Sequence, residues 1–157
     1  MTHPRHSDGG RARVVTPDCH TAMVGLCRAV DCVSVAIEKV LEPHDITGQQ
    51  YNVLRVLRCE ANGLPTLAVA ERLIDRAPGI TRMMDRLEAK GLVERERSGD
   101  DRRLVRCRIT KRGTDMLEKL DAPVEEARRT AFAALGSEEV AQLVTLLERV
   151  NGGRTHP

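Results

Sequence analysis

The sequence predicts a mainly α chain with one small β-hairpin, and three observations carry that expectation. Apolar residues recur at helical spacing over most of the chain. They are clearest in Cys19, Met23, Leu26, Val30, Val33, Ile37 and Val40, which alternate steps of four and three. Strand-like runs are confined to residues 92–97 and 104–109, the second with period-two alternation, on either side of the turn-forming Ser98-Gly99-Asp100-Asp101. Positive charge is concentrated there too. Residues 76–112 hold twelve Lys/Arg against six Asp/Glu, whereas the whole chain nets only +2, so the remainder sums to −4.

A length of 157 residues fits one domain with appended helices. With one Tyr (Tyr51), one Phe (Phe132) and no Trp, the core must be aliphatic, and a ring-stacking ligand site has few partners. No apolar run approaches the roughly 20 residues that cross a bilayer, and the polar start MTHPRHSDGGRARVV lacks the apolar stretch of a secretory signal. It reads as a disordered basic arm. The five cysteines are an odd number without a C-x-x-C pair, so neither a zinc site nor a disulfide framework is expected. The chain is read as cytoplasmic, with reduced and mostly buried thiols.

In chain order, Thr16-Pro17 supplies a helix start and Pro43 a stop. The heptad seam between them points to a partner chain, the alternative being an ordinary core helix. Thr47-Gly48-Gln49-Gln50 has the form of a capping box and opens a second helix, with Tyr51, Leu54 and Leu57 inward. Asn62-Gly63 and Pro65 break the chain. Thr66 should then cap a short helix whose Leu67, Ala70, Leu73 and Ile74 face inward. Four residues, 75–78, lead to a helix with Ile80, Met83, Met84 and Leu87 toward the core and Thr81, Arg82, Asp85 and Arg86 outward. Lys90-Gly91 ends it. In the second strand Val105, Cys107 and Ile109 form an apolar face, with a largely cationic face opposite. Thr110 caps a further helix that Pro123 should kink or split, and Ser137 opens the last, with Val140, Leu143, Leu147 and Val150 on one stripe. Two helices, a helix-turn-helix, a hairpin and two more helices make a winged helix-turn-helix with flanking dimerisation helices. The expected divisions are an arm over 1–15, a dimerisation helix over 16–45, the winged helix-turn-helix over 46–112, C-terminal dimerisation helices over 113–151 and a tail over 152–157.

The runs ITGQQYNVLRVL, LAVAERL and PGITRMMDRLEAKGLVERERSGDDRRLVRCRITKRG resemble the MarR family of bacterial winged-helix regulators. The resemblance implies a homodimer that binds palindromic double-stranded DNA, usually as a repressor relieved by a small-molecule effector or by oxidation. It also implies that the D-x-R of the wing, Asp101 and Arg103, places the arginine in the minor groove with the aspartate bracing it. Arg102 is the adjacent candidate for that role.

The residues point the same way. Thr81, Arg82 and Arg86 project from the half of a recognition helix that enters the major groove, where arginine can reach guanine and threonine a base edge. Arg82 could equally hold phosphate, and Arg86 could equally pair with Asp85. Ala77-Pro78-Gly79 offers no side-chain acceptor to the first helical amides, leaving them to a phosphate or to water. Arg95, Arg97, Arg106 and Arg108 would serve phosphates or form a solvated strand face. Thr66, Pro78 and Gly79 complete the expected DNA-contacting set.

Competing readings are fewer. The histidines are His3, His6, His20, His44 and His156, and no hydrolase, P-loop or metalloprotease signature occurs, so no enzyme, metal or cofactor is expected. A winged helix used for protein–protein contact would not need an arginine-rich wing. Redox sensing through Cys19, near a helix start and beside His20, is an alternative input. The tyrosines that accompany the reactive thiol in the family's peroxide-sensing branch are missing.

Overall fold

A computed structural model of the chain describes residues 18–73, 79–97 and 105–152. The chain divides into two units, residues 1–31 and 32–157. The described part of the first is the opening of α1 (Cys19–Leu41). The expected start at Thr16-Pro17 lies outside the described residues. Asp18 caps instead, its carboxylate accepting from the Thr21 amide at 2.7 Å, a bond that holds its pKa below the ordinary value.

In the second unit the end of α1 runs into a 3-10 turn, Glu42–His44, which contains Pro43 and closes on Asp45 in a left-handed conformation (φ 55°). Then α2 (Gly48–Arg58) begins with the expected capping box: Thr47 Oγ1 accepts from the Gln50 amide, and Gln50 Oε1 from the Thr47 amide. Gln50 is buried by this service.

The chain next forms β1 (Leu64–Pro65), α3 (Thr66–Arg72), α4 (Ile80–Ala89), β2 (Val93–Arg97), β3 (Val105–Ile109), α5 (Lys111–Ala131) and α6 (Ser137–Val150). The sheet order is β1-β3-β2, antiparallel throughout. The third strand was not expected, since β1 is two residues long and ends in proline. Gly63 before it has φ +65°, and a Cβ there would lie 2.7 Å from the Cys107 carbonyl oxygen.

The core is aliphatic around Tyr51. Val53, Leu54 and Leu57 of α2 meet Val69, Ile80, Met84, Leu87, Val93 and Cys107, with Leu117, Leu120 and Val124 of α5 in the same cluster. Two expectations are corrected. Leu67 does not face inward: it is 74% exposed, and Val69 and Leu73 take the inner positions. Where β1 delivers the chain sets the phase of so short a helix. Ile74 lies outside the described residues. Pro123 does not split α5, which runs unbroken to Ala131. The proline sits on the exposed side of a helix whose Leu120 and Val124 are buried. Thr110 caps α5 as expected, accepting from the Gly113 amide at 3.1 Å.

A polar node joins α2 to α5. Tyr51 Oη donates to Asp121 Oδ1 at 3.0 Å, and Arg58 donates to Oδ2 at 2.5 Å. Burial would raise the Asp121 carboxyl, but the bonds from Arg58 and Tyr51 outweigh it and hold its pKa below the ordinary value. Burial, reinforced by Asp121, pushes the Tyr51 phenol up.

A folded-state pKa below the unfolded one stabilises above the ordinary carboxylate range and is lost as pH falls through the folded value. Asp121 and Arg58 are partly solvated, so screening limits the node to about 1 kcal/mol. Asp121→Asn is therefore expected to cost about that much at pH 7 and to flatten the acid limb of stability. Urea titrations of both proteins between neutral pH and the carboxylate range check this, and parallel acid limbs would refute it.

Candidate nucleic-acid interface

The helix pair α3 and α4 and the hairpin of β2 and β3 assemble one exposed surface. Gly79 precedes α4 in a left-handed conformation (φ 91°, ψ 27°), and no side chain caps the first turn. Ile80, Met84 and Leu87 are buried and Met83 packs against the core. Thr81, Arg82, Asp85 and Arg86 are exposed, as their spacing predicts.

Two depressions flank the helix. An open cleft of about 480 Å³ is lined by Thr47, Gln49, Gln50, Gly79, Arg82, Met83 and Arg86. On the hairpin side, a groove of about 420 Å³ is lined by Thr66, Thr81, Arg95 and Val105. The sequence-predicted residues thus divide between the two, Gly79, Arg82 and Arg86 toward α2 and Thr66 and Thr81 toward the strands. Thr47 and Gln49 were missed because their motif reads as a helix cap. Thr66 does not cap α3, where Pro65 occupies the N-cap position without a side-chain bond. Its hydroxyl instead lies 3.4 Å from Cys107 Sγ.

The strand arginines differ most from expectation. Register pairs Val93 with Ile109 and Arg95 with Cys107 on one face, and Glu94 with Arg108 and Glu96 with Arg106 on the other. The face expected to be cationic therefore alternates sign across the strands. Arg108 Nε lies 3.6 Å from Glu96, and Arg106 donates to the Gly63 carbonyl at 3.2 Å. Arg95 shares the inner face with buried Cys107. Its guanidinium reaches Asp85 Oδ1 at 2.7 Å, Glu88 Oε2 at 3.5 Å and the Thr81 carbonyl at 3.3 Å. Burial alone would lower its pKa; the Asp85 bond and the charges of Asp85 and Glu88 reverse that. Asp85 thus pairs with Arg95 and not with Arg86. Among the described residues neither Arg82 nor Arg86 has an ion-pair partner.

Pro78, Asp101, Arg102, Arg103 and the side chain of Arg97 lie outside the described residues. Cys19 opens α1 and is exposed, as are Cys27, Cys32 and Cys59, so the expectation of buried thiols holds for Cys107 alone. Among the described residues no three His, Cys, Asp or Glu side chains could share a metal ion, and no helix is long and apolar enough to cross a membrane.

A helix pair followed by an antiparallel hairpin, with threonine and outward arginines on the second helix, defines a winged-helix DNA-binding protein. The model of the MarR family matches residues 44–104. A MarR transcription factor from Planctomyces limnophilus is 33% identical over 85% of this chain and 98% of its own, with a TM-score of 0.67. A mutant MarR from E. coli, solved in complex with operator DNA, is 31% identical over 85% of this chain and 99% of its own, at 0.70. An organohalide-sensing transcriptional regulator in its 2,4-dichlorophenol-bound form shares the fold at 0.80, with 16% identity over 94% of this chain and 87% of its own. This chain belongs to the MarR family of transcription regulators.

Among the described residues a Cβ at Gly79 would meet nothing within 4 Å, and the positive φ opposes a side chain there. Gly79→Ala is expected to lower stability by about 1–2 kcal/mol, read as a reduced midpoint in thermal melts.

Proposed function

We propose that this chain is a homodimeric repressor that reads a palindromic operator and is released by a small-molecule ligand. The observation that carries the DNA reading is the exposed outer face of α4, where Thr81, Arg82 and Arg86 point outward and neither arginine has an ion-pair partner among the described residues. Thr66, Pro78, Gly79 and the cleft residues Thr47 and Gln49 would meet the sugar–phosphate backbone, and Arg97, Asp101, Arg102 and Arg103 would supply the wing. The operator-bound relative supports the reading. The phenol-bound structure supports a small-molecule input. Oxidation of Cys19, at the head of α1, is the second candidate input. Catalysis has no place in either reading.

Dimerisation is supported by apolar side chains left in water. Met23 and Val30 of α1 and Val144, Leu146 and Val150 of α6 are each about half exposed or more, and α6 buries no residue. Such stripes are stable when they cover one another. The dimer would set two recognition helices about 34 Å apart, one turn of DNA.

Selection from a random duplex pool should return a palindrome with half-sites at that spacing. Arg82→Ala and Arg86→Ala should each weaken binding to it. A phosphate contact would lower the salt slope by about one, whereas a base contact would relax selectivity at one position by about 1–3 kcal/mol. Absence of salt-sensitive binding to any duplex would overturn the reading. In a separate test, Leu146→Glu with Val150→Glu should sediment at the 17.4 kDa of one chain, while the unaltered protein sediments at about twice that. A wild-type monomer would refute the dimer.

A further inference from the structure

We propose that Arg95 is a positioning residue for DNA recognition: it braces the wing against the recognition helix and draws Asp85 away from the DNA-facing Arg82. The inference rests on the operator-reading function above and concerns what makes that surface selective.

Arg95 is a cation on the inner face of the sheet, directly opposite Cys107, which is fully buried. Its side chain is 24% exposed. A charge placed there is costly unless acceptors surround it. Among the described residues its three acceptors all lie on α4: the Thr81 carbonyl, the Asp85 carboxylate and the Glu88 carboxylate. Positions 81, 85 and 88 form one stripe along two turns of the helix, the stripe turned toward the strands. The guanidinium is planar and its donors leave in fixed directions, so bonds to several points along one stripe restrain both the tilt of α4 and its rotation about its own axis. Thr81 is fixed most directly, because its carbonyl is held while its side chain projects from the first turn.

The same contacts settle the local charge. Asp85 lies three residues after Arg82 and beside Arg86, and Glu88 follows on the next turn. On an isolated helix Asp85 would compete for Arg82, three residues before it and so at helical spacing. Here Asp85 is drawn to Arg95 together with Glu88, and Arg82 has no ion-pair partner among the described residues. Arg95 itself has little left to offer a phosphate.

The test compares Asp85→Asn and Arg95→Gln with the unaltered protein on two probes: the duplex selected by the wild type and a scrambled duplex of equal length and composition. Asp85 is 55% exposed, so its substitution leaves the fold intact, and circular dichroism melts check this. Both variants should lower the ratio of specific to non-specific affinity by about tenfold. Asp85→Asn should bind the scrambled duplex as well as the wild type or better, because a negative charge has been removed. Arg95→Gln should keep the wild-type salt slope, and the double variant should lose no more than either single one. Arg95→Lys, which keeps the charge without the planar fork, should restore less than half of the lost selectivity. An unchanged affinity ratio would overturn the brace. So would a uniform loss on both duplexes with the salt slope reduced by about one, which would place Arg95 on a phosphate. If the wild type selects no consensus, the operator-reading function fails, and the brace with it. A clear consensus with an unchanged ratio removes the brace alone.

Discussion

One row of residues across the sheet, Leu64, Cys107 and Arg95, sets the geometry of the proposed DNA-binding surface. Cys107 is its centre, fully buried and small enough for both neighbouring strands to close on it. On one side Leu64 pairs with it, and α3 begins two residues later, so the entry of the helix pair is fixed by a strand contact. On the other side Arg95 pairs with it and reaches α4. The two helices and the hairpin are thus referred to one thiol. A larger side chain there would push apart elements that otherwise share few covalent constraints, and interiors at crystal-like density have little room to absorb the change.

The polar contacts of the DNA-binding module divide into those that hold it together and those that remain for a ligand. Lys90 bridges the end of α4 to Asp45, Arg106 reaches the Gly63 carbonyl, and Arg95 and Arg108 engage acids. Arg82 and Arg86 stand outside this network. A positive count read from sequence therefore overstates the charge offered to a polyanion, and what matters is which cations are left without a partner.

How far the sequence alone reveals this depends on whether a feature is local. The Thr47–Gln50 capping box is a four-residue arrangement, and it appears as written. The inner and outer faces of α4 follow from 3.6-residue periodicity and were equally legible. The strand β1 was not, since two residues ending in proline carry no strand signal and the partner lies about forty positions away. Leu67 was misplaced for a related reason: seven residues are too few to fix a helical phase without knowing where the preceding strand leaves off. The role of Arg95 was half visible. Alternation in Val-Glu-Arg-Glu-Arg puts it on the face of Val93, but its acceptors belong to a different element. Pro123 was given too much weight, because a helix anchored by buried residues on its other side can carry a proline toward solvent.

The ends of the sheet have a further consequence. A β-sheet exposes unpaired amides and carbonyls along its outer strands, and these are templates for adding another chain. Here one outer strand is only two residues long and finishes in Pro65, which has no amide to offer. The other, Val-Glu-Arg-Glu-Arg, carries charge at four of its five positions. Neither border invites a stranger's strand. These two blunt borders leave the helices as the surface for the proposed self-association.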